Sequence, residues 1–176
     1  MKARLLLIPL SPLALCLPAY AVTYLTVEQA QTLMFDGTAL TRDFRTLSAA
    51  QIQTIESDSG VKVANAQLNA WRDAAGGWFL LDQVIGKHEF INYAVALDAG
   101  GAVRQLEILD YHESYGGEVH LAAWRRQFVG KQHGSSLQLN GDIKNISGAT
   151  LSCGHVTDGV RRLLATYALV LASPEH

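Results

Sequence analysis

The residues of this chain best suited to chemistry stand together at Ser147-Gly148-Ala149-Thr150-Leu151-Ser152, where two small residues lie between hydroxyls directly ahead of a helical pattern. The first turn of a helix carries unpaired N–H groups and the positive end of the helix dipole, so it suits a phosphate. Gly148 and Ala149 would let the backbone approach such a group closely, and Thr150 would present its hydroxyl beside it. A plainer role suits the same residues, in which Ser147, Thr150 or Ser152 caps the helix N–H groups and does nothing more. Residue type and spacing leave both readings open.

Other reactive side chains form no recognisable constellation. Cys153 and His155 are neighbours, but two such residues are too few for a zinc site and no C-x-x-C accompanies them. A thiol in the first turn of a helix tends toward a lowered pKa, yet Cys153 reads as a packed small residue. His88, His112, His120 and His133 show no ligand spacing. There is no G-x-S-x-G elbow for a hydrolase using Ser147 or Thr150. Neither a G-x-G-x-x-G turn nor a phosphate loop of the G-x-x-x-x-G-K-[ST] type is present, so NAD and ATP have no familiar seat. No catalytic residue and no metal ligand is assigned. The net charge of -2 gives no drive toward nucleic acid or anionic lipid.

The elements that must position the hydroxyl cluster follow from periodicity. Thr26-Val-Glu-Gln29 and Ser48-Ala-Ala-Gln51 are capping boxes, predicting short helices over 27–34 and from 49 to the Ser57–Gly60 breaker. Ala39–Leu47 reads as a strand, and so does Trp78–Ile85, which is bounded by glycines. Ile91, Tyr93, Val95 and Leu97 alternate as in a half-buried strand. Ala99-Gly100-Gly101 turns the chain, and Val103–Leu109 returns as the hairpin partner. His120–Phe128 reads as a short helix. Val156, Val160, Leu163, Leu164, Tyr167, Ala168 and Leu171 mark one face of a long helix over 153–171. The expected fold is a single α+β domain: an antiparallel sheet, flanking helices and a long C-terminal helix.

With 176 residues the chain suits one domain, and its beginning reads as a leader. Lys2 and Arg4 precede an apolar run from Leu5 to Leu17, and Ala19-Tyr20-Ala21 supplies the small-x-small pattern of a signal-peptidase site. The run is shorter than the ~20 residues a spanning helix needs. Residues 1–21 are therefore expected to be a cleaved signal peptide and 22–176 the exported domain, working in the periplasm or on the outer face of the cytoplasmic membrane. Leu15 before Cys16 disfavours lipid attachment there, and cleavage leaves Cys153 without a partner for an internal disulfide.

Three ordered segments carry a family resemblance. Ser147-Gly148-Ala149-Thr150 resembles the flavinylation motif of the FMN-binding domain family, found in the C subunit of sodium-pumping NADH:quinone oxidoreductase and the G subunit of Rnf complexes. Glu113-Ser-Tyr115-Gly116-Gly117 is similar to the family's E-[TS]-x-G segment. Trp124-Arg-Arg-Gln127-Phe128-Val-Gly130-Lys131 is similar to its W-x-x-Q-F-x-G-K segment. The likeness covers roughly residues 80–170. It implies FMN linked by a phosphoester to Thr150, placed there by a magnesium-dependent flavin transferase that uses FAD. It implies a phosphate nest shaped by Ser147, Gly148 and Ala149, with Glu113 and Tyr115 near the ring or ribityl chain. Gly116 and Gly117 would make a tight turn near the flavin, and Lys131 would either pair with a phosphate or simply be solvated. The implied role is electron transfer between membrane-bound or periplasmic redox proteins. One position departs from the pattern: where the family usually has aspartate three residues before the serine, this chain has Lys144, with Asp142 two residues earlier. The competing reading is an exported, non-redox scaffolding or ligand-binding module whose S-G-A-T is only a helix cap.

Overall fold

The structure, a computed structural model, describes residues 22–113 and 116–172. The expected leader at 1–21 and the site residue Tyr115 lie outside the described residues.

Both capping boxes form. Thr26 and Gln29 exchange bonds at the start of α1 (Val27–Met34), and Ser48 and Gln51 do the same for α2 (Ala49–Ser59), each pair satisfying two otherwise unpaired amides. Helix α2 ends at Gly60, whose φ of 70° is the left-handed geometry glycine adopts at no steric cost.

The strands are β1 (Val22–Thr23), β2 (Thr41–Arg42), β3 (Arg45–Thr46), β4 (Gln67–Arg72), β5 (Trp78–Ile85), β6 (Phe90–Leu97) and β7 (Val103–Tyr111). They build an antiparallel sheet in the order β1-β7-β6-β5-β4-β2, with β3 also paired to β4. The strand expected over 39–47 is interrupted at Asp43 and Phe44, where the Asp43 carboxylate turns to hold the Arg45 guanidinium at 2.8 Å. Strand β4 was not legible in the sequence, because Leu68, Ala70 and Trp71 are buried without a clean alternation.

Strand β6 is not half-buried as its pattern implies. Ile91, Tyr93, Val95 and Leu97 enter the main core, while Ala94 and Ala96 are buried in a second cluster with Ala30 and Met34 of α1. The alanines read as the lesser face; their small size is what lets α1 pack over them.

The helix expected over 120–128 forms over 122–128, as α3 (Ala122–Arg125) running into a 3-10 turn at Arg126–Phe128, with a separate turn at Gly117–His120 before it. Leu121 is extended (φ -65°, ψ 129°) and sets the later start. The last helix, α4 (Thr150–Thr166), starts three residues earlier than its apolar stripe suggests and continues as a wider turn over Tyr167–Leu171.

Helix α4 lies on the sheet through polar as well as apolar contacts. Asp82 Oδ2 of β5 accepts from Arg162 Nη2 at 2.6 Å and from the Tyr93 hydroxyl at 2.8 Å, and Arg162 Nη1 donates to the Lys62 carbonyl. Burial, and then the Asp82 charge, push the Tyr93 phenol well above its ordinary pKa, so it remains a donor. Gly159 allows this close approach: a Cβ there would stand 2.3 Å from the Tyr93 hydroxyl and 2.9 Å from Val84 Cγ1. Gly159→Ala is expected to lower stability by about 1–3 kcal/mol through overpacking, measured by urea unfolding. An unchanged midpoint would show that helix and sheet do not need this contact distance.

Candidate functional site

Thr150 is the first residue of α4, and the helix begins without a side-chain cap: the residue at the N-cap position is Ala149. The hydroxyls of Ser147, Thr150 and Ser152 are therefore not engaged in capping, contrary to the plainer sequence reading. The first-turn amides, which have no carbonyl within the helix to receive them, stay available at its mouth. Thr150 is exposed, and its Oγ1 accepts a hydrogen bond from Asn145 Nδ2 at 2.8 Å. The other polar atom of that amide, Asn145 Oδ1, is buried with no hydrogen-bond partner.

Beside this hydroxyl lies a cleft of about 400 Å³. One wall is the run Gly148, Ala149, Thr150, Leu151 and Ser152; the other is Lys87 and His88 from the β5–β6 turn, with Glu113 from the end of β7. Gly148 has φ +86° with open space where a Cβ would be, so glycine is required there by backbone geometry alone. Gly116 has φ +90° and is crowded as well, since a Cβ would come within 3.1 Å of Ser152 Oγ and 3.3 Å of Ala149 Cα. That contact places the E-x-x-G-G and S-G-A-T segments against each other. The Tyr111 hydroxyl and Ser152 Oγ share a buried hydrogen bond of 2.8 Å in the same place.

Glu113 does not present a free carboxylate. Its Oε1 accepts from the backbone amides of His88 and of Glu89 (2.9 Å), tying the β5–β6 turn to β7. Burial alone would raise its pKa, but these donors and that of Lys87 outweigh it and hold the group below its usual value. It stays ionised in neutral solution, one oxygen held by backbone amides, and it lines the cleft together with Lys87, His88 and Thr150. Gly86 makes room for it, as a Cβ there would be 2.7 Å from Glu113 Oε1.

The third motif acts at one remove. Trp124 is buried and its indole N–H donates to the Lys144 carbonyl at 2.8 Å, while Gln127 Oε1 accepts from the Lys144 amide at 2.7 Å. Phe128 is fully buried beside Trp124, as expected of core residues. Lys131 is absent from the cleft wall and instead pairs with Asp142 at 2.6 Å. Asp142 also accepts from the amides of Leu137 and Gln138, and the Lys131 ammonium leads in depressing its pKa to about 2. Ser147 is exposed and outside the cleft lining, and Gly117 sits against the Tyr24 hydroxyl.

Cys153 is fully buried, and burial raises its thiol pKa against the pull of the backbone donors around it. This reverses what a helix start implies and leaves the thiol a packing group. His155 Nδ1 donates to the carbonyls of Ile85 (2.5 Å) and Gly86 (3.1 Å), clamping α4 to the end of β5. Lys87, His88, Asn145, Leu151 and His155 were missed in the sequence. For Lys87 and His88 the available signal was two basic residues in a tight turn between strands.

Residues 86–165 match the family model described as FMN-binding domain. The chain carries an FMN-binding domain. No curated protein matches the chain. The match spans the β5–β6 turn, the Glu113 segment, the Trp124–Lys131 segment and most of α4, which are the parts that surround the cleft. The residues present suit FMN: an uncapped helix start and two basic side chains stand where a phosphate would bind.

Two outcomes are expected of the segment that delivers Thr150. Gln127→Ala should speed amide hydrogen exchange at Lys144 by roughly 5- to 10-fold, the effect of losing one hydrogen bond of about 1 kcal/mol. Asp142 has a folded pKa below its unfolded value, so its contribution to stability is present above pH ~4 and lost as pH falls toward about 2. Asp142→Asn should remove that part of the acid dependence in unfolding curves taken between pH 5 and pH 2; identical slopes in both proteins would sink the assignment.

Proposed function

We propose that this is an exported electron carrier whose FMN is joined through a phosphoester to Thr150. The observation that carries the proposal is the exposed Thr150 hydroxyl at an uncapped helix start, facing Lys87 and His88 across the cleft. The helix amides and these two side chains supply the positive field a phosphate needs. Gly148 and Ala149 keep side-chain bulk away from it.

Among the described residues the side chain hydrogen-bonded to the Thr150 hydroxyl is Asn145, an amide that donates to Oγ1 and is no base. Activation then belongs to a flavin transferase with magnesium. Thr150 Oγ1 takes the place of AMP on the FMN phosphate of FAD, and the threonine proton leaves to a base of that enzyme. Asn145 holds the hydroxyl oxygen in one orientation and leaves its proton directed away. Lys144, exposed where the family usually carries aspartate, sits on backbone held by Trp124 and Gln127.

When bound, FMN exchanges one or two electrons and so can link two-electron donors to one-electron partners such as iron–sulfur or haem proteins. Tethering suits a compartment in which lost FMN is not replaced. The leader-like residues 1–21 support export to the periplasm or the outer face of the cytoplasmic membrane, where the partners would be membrane-bound or periplasmic redox proteins. Among the described residues no helix is long and apolar enough to cross a membrane.

The test is the intact mass of the chain after export in cells that contain the transferase. The native chain should gain one FMN less one water, Thr150→Ala should lose the gain, and Thr150→Ser should keep part of it. A colourless, unmodified native chain under these conditions would leave the non-redox module as the better reading.

A further inference from the structure

A second cavity, of about 450 Å³, lies further along α4 than the Thr150 cleft. Its walls include Val61, Val63, Val84, Ile85 and Phe90, and α4 contributes His155, Asp158, Gly159 and Arg162. Leu151, of the first cleft, is spaced with these four at the three- and four-residue steps that keep side chains on one helix face. Both cavities therefore lie along a single stripe of α4, and the His155 imidazole, clamped to the carbonyls of Ile85 and Gly86, stands where they meet.

The two spaces differ in chemistry. Among the described residues of the Thr150 cleft the one large apolar side chain is Leu151, beside Lys87, His88, Glu113, Thr150 and Ser152. The second cavity joins an apolar wall of Val61, Val63, Val84, Ile85 and Phe90 to a polar one, in which the amides of Asn65 and Gln83 stand with the paired Asp82 and Arg162 and with Asp158. Ile85 and Phe90 on its lip are 56% and 46% exposed, an unusual condition for two large apolar side chains that are paired neighbours across β5 and β6. A phosphate favours the first space and a flat aromatic ring with a polar edge favours the second.

The distances agree. From Thr150 to His155 and Asp158 the helix advances about 7.5 and 12 Å at 1.5 Å per residue. The seven bonds from the phosphorus to the ring nitrogen of FMN, at about 1.5 Å each in a zigzag, reach roughly 8–9 Å. A phosphate fixed at Thr150 thus brings its ring just beyond His155.

We propose that the isoalloxazine ring lies in the cavity bounded by Phe90, Ile85 and the His155–Arg162 face of α4, with Thr150 holding only the phosphate. The ribityl chain passes beside His155, whose Nδ1 is held by the strand carbonyls. The ring covers Ile85 and Phe90, and its polar edge meets the amides of Asn65 and Gln83. This rests on the Thr150 linkage proposed above.

Ala64 lines this cavity from an exposed loop, so Ala64→Phe fills the space with little consequence for folding. The full chain, loaded in cells with the transferase, is compared with Ala64→Phe and with Phe90→Ser in two measurements on each sample. Intact mass reads the linkage, and acrylamide quenching of flavin fluorescence reads the ring's exposure. All three should carry the same increment at Thr150, with quenching weak in the native chain and several-fold stronger in both variants. Equal quenching in all three, with the increment present, would place the ring in the Thr150 cleft or in solvent and overturn the inference alone. Loss of the increment from the native chain would overturn the linkage and this inference together.

Discussion

The close approach of the chain leaving β7 to the first turn of α4 is the constraint on which the rest of the site depends. At Gly116 the backbone passes so near Ala149 and Ser152 that even a methyl group would crowd both, and the Tyr111–Ser152 hydrogen bond closes the same junction from below. Residues 113 and 150 are far apart in sequence, so nothing local brings them together. What does is the docking of α4 on the sheet, through Val156, Val160 and Leu163 in the core and through Arg162 on Asp82. A helix held this way has no freedom to slide, and its open end is fixed relative to the turn that carries Lys87 and His88.

The three motif segments have separate roles. Gly148, Ala149 and Thr150 form the wall of the cleft. The Glu113 carboxylate fixes the opposite wall by receiving its backbone amides. Trp124, Gln127 and Lys131 hold the irregular stretch 142–144 that leads into the helix, by two hydrogen bonds to Lys144 and one ion pair to Asp142. The Lys131–Asp142 pair is partly solvated, so its value lies in fixing the path of a loop more than in net stability. An irregular segment has no ladder of its own, and without such external partners it would sample many paths to Thr150.

Much of the architecture was legible because it rests on local rules. Capping boxes set the starts of α1 and α2 at Thr26 and Ser48, and the hairpin of β6 and β7 follows from alternation on either side of a glycine turn. The helix expected over 120–128 starts two residues late because its apolar spacing does not reveal the extended Leu121 ahead of it. Strand β4 escaped notice because burial on both faces leaves no period of two. Lys131 looked like a phosphate ligand since its charge is plain in the sequence, whereas its partner, Asp142, lies across a loop.

By itself the sequence determined which residues could do chemistry: a hydroxyl among small residues at a helix start, glycines where the backbone turns left-handed, and an FMN-binding pattern that spans them. Only the tertiary structure decided which charges face that hydroxyl and which are neutralised elsewhere. Lys87 and His88 come to it from a turn more than sixty residues away, Glu113 is held by amides, and His155 becomes a clamp instead of a ligand. The physical reason is that residue type and short-range spacing are properties of one stretch of chain, while electrostatic surroundings depend on which distant stretches the packing of α4 against the sheet brings within hydrogen-bonding reach.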